Sequence, residues 1–234
     1  MPFAAALSQH PDAAEATGDA VGRVLEGLAG ATPDLAVLFC SPHHVGALGD
    51  IAATVRRVLA PGVLLGAGSA AVVGGDREVE DGPAVSLWAA TLPSPPRPVR
   101  ITAARTASGT AVQGLPVRDL PPGGTLVLLT DPFSLPVDAV LEAVAAAGSP
   151  VRVVGGLASP SGAPGDTRLV LDGDMVATGA VGALLDADTA TTAVVSQGCR
   201  PIGEPMIVTR AQGNVIAELA GRTALERVAE LAGR

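Results

Sequence analysis

The chain has 234 residues, enough for one large domain or two small ones, and its 48% apolar and 16% charged residues predict a folded core and exclude disorder. A net charge of −8, with three Phe, one Trp and no Tyr, disfavours nucleic-acid binding, which needs basic surfaces and stacking side chains. All 15 basic residues are arginine. The absence of lysine excludes Walker A ATPases and enzymes that use a Schiff-base or pyridoxal phosphate lysine.

No segment predicts a membrane span or an export signal. The longest uncharged run, residues 61–75, is interrupted by glycines and is shorter than the roughly 18 residues that a span needs. The N-terminal apolar run reaches His10, Pro11 and Asp12 too early for a secretory signal. We therefore expect a cytoplasmic protein in which both cysteines are reduced.

The first half of the chain predicts strands alternating with helices. Residues 3–7 form a short apolar run typical of a strand, and apolar residues then recur at helical spacing over 21–28. Residues 35–39 predict a strand covered on both faces. A second helix is predicted over 48–59, followed by a buried strand at 63–65.

The same series of signals occurs again later in the chain. Pro132 lies 90 residues after Pro42, and Gly155 lies 89 residues after Gly66. We interpret this as two pseudo-repeats, about 30–92 and 120–186, each a strand-helix-strand-hairpin half, joined by a proline-rich connector at 93–98. The predicted fold class is α/β, with duplicated halves forming mixed sheets flanked by helices.

The predicted elements outside these repeats are fewer. A strand is expected from residue 99, and in the tail we predict strands at 193–196 and 206–209 followed by a helix that begins near 219. Within the second repeat, the residues Asp172-Gly173 predict a tight hairpin turn between 169–171 and 175–177.

Both halves place a small polar residue before proline at the end of a buried strand. These motifs are Ser41-Pro42 and Asp131-Pro132. Such a pair favours a turn or a helix N-cap, and amides at two helix starts would create a crevice for an anionic group. Asp131 would suit an ammonium group. The alternative is that both motifs only start helices.

Glycine-rich segments directly follow the second strand of each half. They contain Gly66 and Ser69 in the first half, and Gly155 and Gly156 in the second. Neither matches the dinucleotide-binding pattern, so no nucleotide cofactor is predicted. Glycine at these points permits close approach of a ligand, or else forms a turn of positive φ.

Two further groups of residues carry candidate chemistry. Cys40 precedes His43 and His44, which suggests a thiol nucleophile with a base or, with Cys199, a metal site. We prefer a half-buried cysteine beside solvent-facing histidines, with no metal. The loop at 196–205 holds Cys199, Arg200 and Glu204, and Arg200 could bind a carboxylate ligand or pair with Glu204.

Several longer blocks resemble one known family over nearly the whole chain. They are LLG (64–66) with GGDREVE (74–80), PAVSLW (83–88), TDPF (130–133), VGGLA (154–158) and VSQGCRPIG (195–203). In this order they resemble the bacterial FIST sensory proteins. The resemblance implies an N-terminal FIST domain, here 1–195, and only the first part of a C-terminal FIST domain, here 196–234.

The resemblance also implies a function. The family is described as a small-ligand-binding input module in signal transduction, with amino acids as suggested ligands and no established catalytic residues. We therefore expect a non-enzymatic sensory domain without a cofactor, which binds a small anionic or zwitterionic metabolite and passes its signal to a partner protein. The predicted ligand contacts are Cys40, Ser41, His43, His44, Gly66, Ser69, Asp131, Gly155, Gly156, Cys199, Arg200 and Glu204.

Two alternatives remain open at this point. One is a thiol-dependent hydrolase or transferase that uses Cys40 or Cys199 with His43 or His44. The other is a protein-interaction scaffold that binds no metabolite.

Overall fold

The computed structural model describes residues 2–106, 109–148, 150–159, 163–195, 198 and 200–233. The chain divides into two compact units, Met1–Thr192 and Ala193–Arg234. Within these ranges, no helix is both long enough and apolar enough to cross a membrane.

The first half of the first unit alternates strands and helices as the apolar periodicity predicts. Its elements are β1 (Phe3–Ser8), α1 (Ala13–Leu28), β2 (Leu35–Cys40), a 3-10 turn (Val45–Ala47), α2 (Leu48–Leu59), β3 (Val63–Gly68), β4 (Val72–Gly74), β5 (Arg77–Val79) and β6 (Val85–Ala90). Helix α1 begins where the Asp12 carboxylate accepts the N–H groups of Ala14 and Glu15. It ends at Ala29, which adopts a left-handed conformation.

The second half contains more strand and less helix. Its elements are β7 (Arg97–Thr106), β8 (Gly109–Gln113), β9 (Thr125–Thr130), α3 (Val137–Ala146), β10 (Arg152–Leu157), β11 (Leu169–Leu171), β12 (Asp174–Val176) and β13 (Ala180–Leu185). The predicted Asp172-Gly173 turn joins β11 to β12 and is confirmed, with both residues at positive φ.

The strands of this unit form two large sheets and one separate hairpin. The first sheet has the order β1-β6-β2-β3-β11-β12 and the second has the order β10-β9-β13-β7-β8, while β4 pairs with β5. The pairs β2–β3 and β9–β10 are parallel, and the other pairs are antiparallel. The prediction of an α/β protein with mixed sheets is therefore confirmed.

The two large sheets pack face to face, and the helices cover their outer faces. Apolar side chains of β2 and β3 meet those of β9 and β13 in one layer, to which Leu169 and Val176 also contribute. Helices α1 and α2 cover the opposite face of the first sheet, and α3 covers that of the second. The unit is thus a four-layer α/β/β/α sandwich whose central strands are buried on both faces.

The two sheets share one arrangement over four strands. The order β1-β6-β2-β3 corresponds to β7-β13-β9-β10, with the same strand directions. The register corresponds as well, since Leu38 pairs with Gly66 and Leu128 pairs with Gly155. Descent of both halves from one duplicated segment stays a prediction.

The halves differ in what covers this common arrangement. In the first half β1 is followed by helix α1, whereas in the second half β7 is followed by strand β8. Two helices therefore cover the first sheet and one helix covers the second. The β11–β12 hairpin belongs to the second half in sequence, yet it pairs with β3 and extends the first sheet. The β4–β5 hairpin makes no strand pair beyond its own in the described part of the chain.

The second unit is a small sheet with one helix. It comprises β14 (Val208–Gln212), β15 (Val215–Leu219), β16 (Arg222–Thr223) and α4 (Ala224–Ala232). The Thr223 hydroxyl caps α4 by accepting the N–H of Glu226. Its assignment to the start of a separate domain stays a prediction.

Several element predictions were wrong at their boundaries. The predicted connector at 93–98 ends inside β7, where Pro98 pairs with Ala183, because proline is tolerated next to the first residue of a strand. Strand β8 was not predicted. In the tail, residues 193–195 form no strand, residue 196 lies outside the described residues, and the missed β15 follows a turn that contains Gly213 at positive φ.

The packing of the hairpin between the sheets predicts its contribution to stability. Leu169 is fully buried in the layer between the sheets, so Leu169→Ala should lower the free energy of unfolding by about 2–5 kcal/mol. Val73 lies on the β4–β5 hairpin and is 61% exposed. Val73→Ala is therefore the matched control and should change the free energy of unfolding by less than about 0.5 kcal/mol. Urea denaturation measures both, and equal effects would contradict this packing.

Candidate functional site

The turn after β2 closes the end of the first sheet. The Ser41 N–H donates to the carbonyl of Ala84 at 2.9 Å, and the Ser41 hydroxyl accepts the Ala84 N–H at 2.9 Å. Ser41 is buried. Its side chain therefore fixes the turn to the residue that precedes β6.

The turn after β9 makes the corresponding connection through a longer relay. The Asp131 N–H donates to the carbonyl of Gly179 at 2.7 Å, and the Gly179 N–H donates to the Ser134 hydroxyl at 2.7 Å. Ser134 in turn donates to the Asp131 carboxylate, which also accepts the hydroxyl of Thr167 at 2.6 Å. Asp131 thus joins three loops of the second half.

These contacts distinguish the two predicted roles of the motifs, a turn or a helix N-cap. Helices α2 and α3 begin at Leu48 and Val137, after N-cap residues Ala47 and Pro136 that make no side-chain capping bond. Ser41 and Asp131 form turns, which was the other interpretation of the motifs. The side-chain oxygens of both residues accept hydrogen bonds within the fold, so a ligand would have to compete with these contacts.

The charge of Asp131 depends on this network. Burial raises the pKa of the carboxyl group, but hydrogen bonds from Ser134, Thr167 and the Phe133 amide outweigh it and hold the pKa below its usual range. The carboxylate consequently stays ionised in the folded protein at neutral pH. A carboxylate with a lowered folded-state pKa contributes to stability at neutral pH.

Cys40 and the two histidines occupy different environments. Cys40 is completely buried in the core under α1 and α2, and this burial raises the pKa of its thiol to about 12. His44 is buried as well, with Nε2 3.0 Å from the carbonyl of His10, whereas His43 is exposed. The expectation of a half-buried cysteine beside two solvent-facing histidines was therefore correct only for His43.

A thiol as buried as Cys40 is a poor nucleophile, because the reactive form is the thiolate. Cys199, the other candidate thiol, lies outside the described residues. Within the described ranges, no group of three or more His, Cys, Asp or Glu side chains is placed to hold a metal ion.

The equivalent glycines on β3 and β10 have opposite surroundings. Gly66 is buried, and a Cβ there would lie 3.2 Å from Cβ of Val170 on β11. Gly155 and Gly156 are exposed. Gly155 has φ +146° and a Cβ there would meet the Leu128 carbonyl at 1.8 Å, so β10 requires glycine at this position.

The exposed glycines line a cavity of about 280 Å³ between α3 and the end of β10. Leu128, Val137 and Leu141 form its apolar walls, and Thr130 is its one polar side chain among the described residues. Gly156 borders open space, since a Cβ at this position would have no atom within 4 Å. The cavity is large enough for a small metabolite and is open to solvent along β10.

The other predicted contacts that the structure describes are Ser69 in the first unit and Arg200 and Glu204 in the second. Ser69 is half-buried at the end of β3, where its N–H donates to the carbonyl of Cys40 at 3.0 Å. Arg200 and Glu204 are exposed residues of the second unit. Of the predicted contacts in the first unit, Gly155 and Gly156 line this cavity. Its apolar wall from α3 was missed because each apolar residue there also fits a helical core face.

Comparison with known proteins identifies one family and several relatives. The family model described as the FIST N domain matches residues 34–222. An uncharacterized protein of Mycobacterium tuberculosis H37Rv is 39% identical over 231 residues, which cover 99% of this chain and 60% of that protein. An uncharacterized protein of Mycobacterium bovis is 38% identical over 225 residues, 94% of this chain and 56% of the relative. This chain therefore spans less than two thirds of the length of these relatives.

The network around Asp131 predicts a pH-dependent contribution to stability. Asp131→Asn removes the charge and one acceptor, and should lower the free energy of unfolding at pH 7 by about 1–3 kcal/mol. Because the folded-state pKa lies below the unfolded value of about 4, this contribution is present above pH 4 and is lost as the pH falls through the folded-state pKa.

Urea denaturation from pH 7 to pH 3 therefore should show the difference between wild type and Asp131→Asn shrinking in acid. Asp81→Asn, which changes an exposed carboxylate next to β5, is the control and should leave stability unchanged. A difference that stays constant with pH would contradict the role of the charge.

The burial of Cys40 predicts slow alkylation. In a Cys199→Ser variant, iodoacetamide should label the native protein at pH 8 at least about a hundredfold more slowly than the urea-unfolded protein, because the thiol is buried and protonated. Mass spectrometry over time measures both rates. Rapid labelling of the native protein at pH 7 would instead favour a thiol enzyme.

Proposed function

Because the chain belongs to the FIST N domain family, a family of sensory domains, we propose that it is a non-enzymatic domain whose cavity between α3 and β10 binds a small ligand. The observation that carries the proposal is this cavity of about 280 Å³, which Gly155 and Gly156 border. Both glycines were predicted as ligand contacts from their position after a buried strand.

The chemistry of the cavity favours an amino acid with an aliphatic side chain. Its walls are aliphatic, so an apolar side chain fits against Leu128, Val137 and Leu141. Along its open side run the backbone N–H and carbonyl groups of β10, which suit a carboxylate and an ammonium group. A zwitterion with a short apolar side chain satisfies both surfaces.

The proposal that the domain is not an enzyme is supported by the state of its candidate nucleophile. Cys40 is buried and its thiol pKa is raised, and His44 contacts a backbone carbonyl instead of a thiol. These features disfavour the thiol-dependent hydrolase or transferase. A sensory domain of this kind acts by passing ligand occupancy to a partner protein.

Other parts of the proposal rest on the sequence. We propose a cytoplasmic location, and the net charge of −8 supports a partner other than nucleic acid. We also propose that residues 196–234 begin a second, C-terminal FIST domain, and that Cys199, Arg200 and Glu204 are ligand contacts of that domain.

A thermal-shift screen of amino acids and small organic acids tests the proposed ligand. A ligand at about 100 times its Kd stabilises a protein by about 2.7 kcal/mol, and this should raise the Tm of a domain of this size by roughly 5–10 °C. We expect leucine, isoleucine or valine to give the largest shift, and serine and aspartate to give none.

Filling the cavity provides the matched variant. Leu141→Trp enlarges an exposed side chain of α3 that lines the cavity, so it should abolish the ligand-induced shift while the unliganded protein stays folded. Leu25→Trp, at an exposed position of α1, is the control and should keep the full shift. A shift that Leu141→Trp leaves intact would place the ligand at another site.

A further inference from the structure

The outer edge of β3 shows how this fold covers a sheet edge. The N–H groups of Val63 and Ser69 point to β2, so those of Leu64, Gly66 and Gly68 point away from it. The β11–β12 hairpin pairs with this side in antiparallel register, with Val170 opposite Gly66. Three hydrogen bonds fix the ends of this pairing.

These bonds involve both backbone and side chain. The Gly68 N–H donates to the carbonyl of Arg168 at 2.9 Å, and the Asp172 N–H donates to the carbonyl of Leu64 at 2.9 Å. The Asp172 carboxylate accepts the Leu64 N–H at 2.9 Å. Val170 between them is fully buried on the helix-covered face of the sheet.

The outer edge of β10 has the same geometry, and no strand of the described residues covers it. The N–H groups of Arg152 and Ala158 donate towards β9, so those of Val153, Gly155 and Leu157 point away from it. These three residues correspond to Leu64, Gly66 and Gly68, since both glycines pair with a leucine of the preceding strand. In the described part of the chain, β10 pairs only with β9.

The surface beside this edge is apolar and open. Leu157 on β10 and Leu141 on α3 are 57% and 44% exposed, and both line the cavity. In the first half the corresponding groove is closed by the hairpin, where Val170 joins the core under the helices and Met175 packs against Gly49 of α2. Among the described residues, the second half therefore has the groove without a covering hairpin.

We propose that the free edge of β10 is a docking site for an extended strand of a partner protein, which adds antiparallel to β10. The covered edge of β3 indicates its chemistry. The partner strand presents a β-branched aliphatic residue opposite Gly155, as Val170 lies opposite Gly66, and an Asp two residues later whose carboxylate accepts the N–H of Val153, as Asp172 accepts that of Leu64.

The aliphatic residue of such a strand would enter the cavity beside Leu128, between α3 and β10. The docking edge follows from the backbone of β10 and does not depend on the proposed ligand. The partner strand and the proposed ligand would occupy the same cavity, so binding of one excludes the other. Ligand binding would therefore directly control whether the partner protein is bound.

A peptide with the sequence of residues 167–176, the chain's own β11–β12 hairpin, is the defined probe. Titrated into the full chain, the labelled peptide should bind by fluorescence anisotropy, and hydrogen exchange by NMR should show protection of the Val153, Gly155 and Leu157 amides. Peptides carrying Val170→Asp or Asp172→Ala should bind at least about tenfold more weakly, since each loses one of the two specifying contacts.

Variants of the edge locate the binding. Leu157→Pro removes an outward-pointing N–H while the β9 ladder keeps its bonds, and Leu157→Lys places a charge on the edge. Both should weaken peptide binding by at least about tenfold. Val73→Lys, at an exposed strand residue of the other hairpin, is the control and should bind as wild type does.

Three results would overturn the proposal. They are no protection of these amides at saturating peptide, equal binding by both Leu157 variants and wild type, or protection of the edge by self-association of the chain, measured by sedimentation at increasing concentration. Failure of the amino-acid screen with successful peptide binding would overturn the proposed ligand and leave the docking edge standing.

Discussion

The apolar layer between the two large sheets is the interaction on which the first unit depends, because the inner faces of both sheets have no other cover. Val63 and Leu65 of the first sheet meet Val181 and Leu185 of the second in this layer. Burying both faces of the central strands explains why their sequences are continuous apolar runs. It also leaves only the strand ends and the sheet edges available for function.

Both strand ends are largely committed to holding the fold. Ser41 and Asp131 complete the hydrogen bonds of the turns that follow the central strands, and a ligand would have to compete with those bonds. The open cavity arises instead from a structural difference between the two halves. The second half keeps the groove between helix and sheet edge, but the hairpin that could have covered it lies on the first sheet.

The sequence was sufficient for the central strands, α2, the Asp172-Gly173 hairpin and the importance of Gly155. These features depend on local patterns of apolar residues, glycine and turn residues. Local patterns do not predict which distant segments pair. They therefore did not indicate that β11 pairs with β3 or that the Thr167 hydroxyl donates to Asp131. For the same reason His44 was expected in solvent, although its ring contacts a carbonyl 34 residues away.

The placement of the β11–β12 hairpin also affects synthesis of the chain. Strand β3 is complete at Gly68, but its outer edge gains a partner only when Leu169–Leu171 have been made, about a hundred residues later. Until then a growing chain carries an uncovered strand edge beside apolar surface, the feature that invites aggregation. Folding on the ribosome must therefore end late, with the hairpin closing the half that was made first.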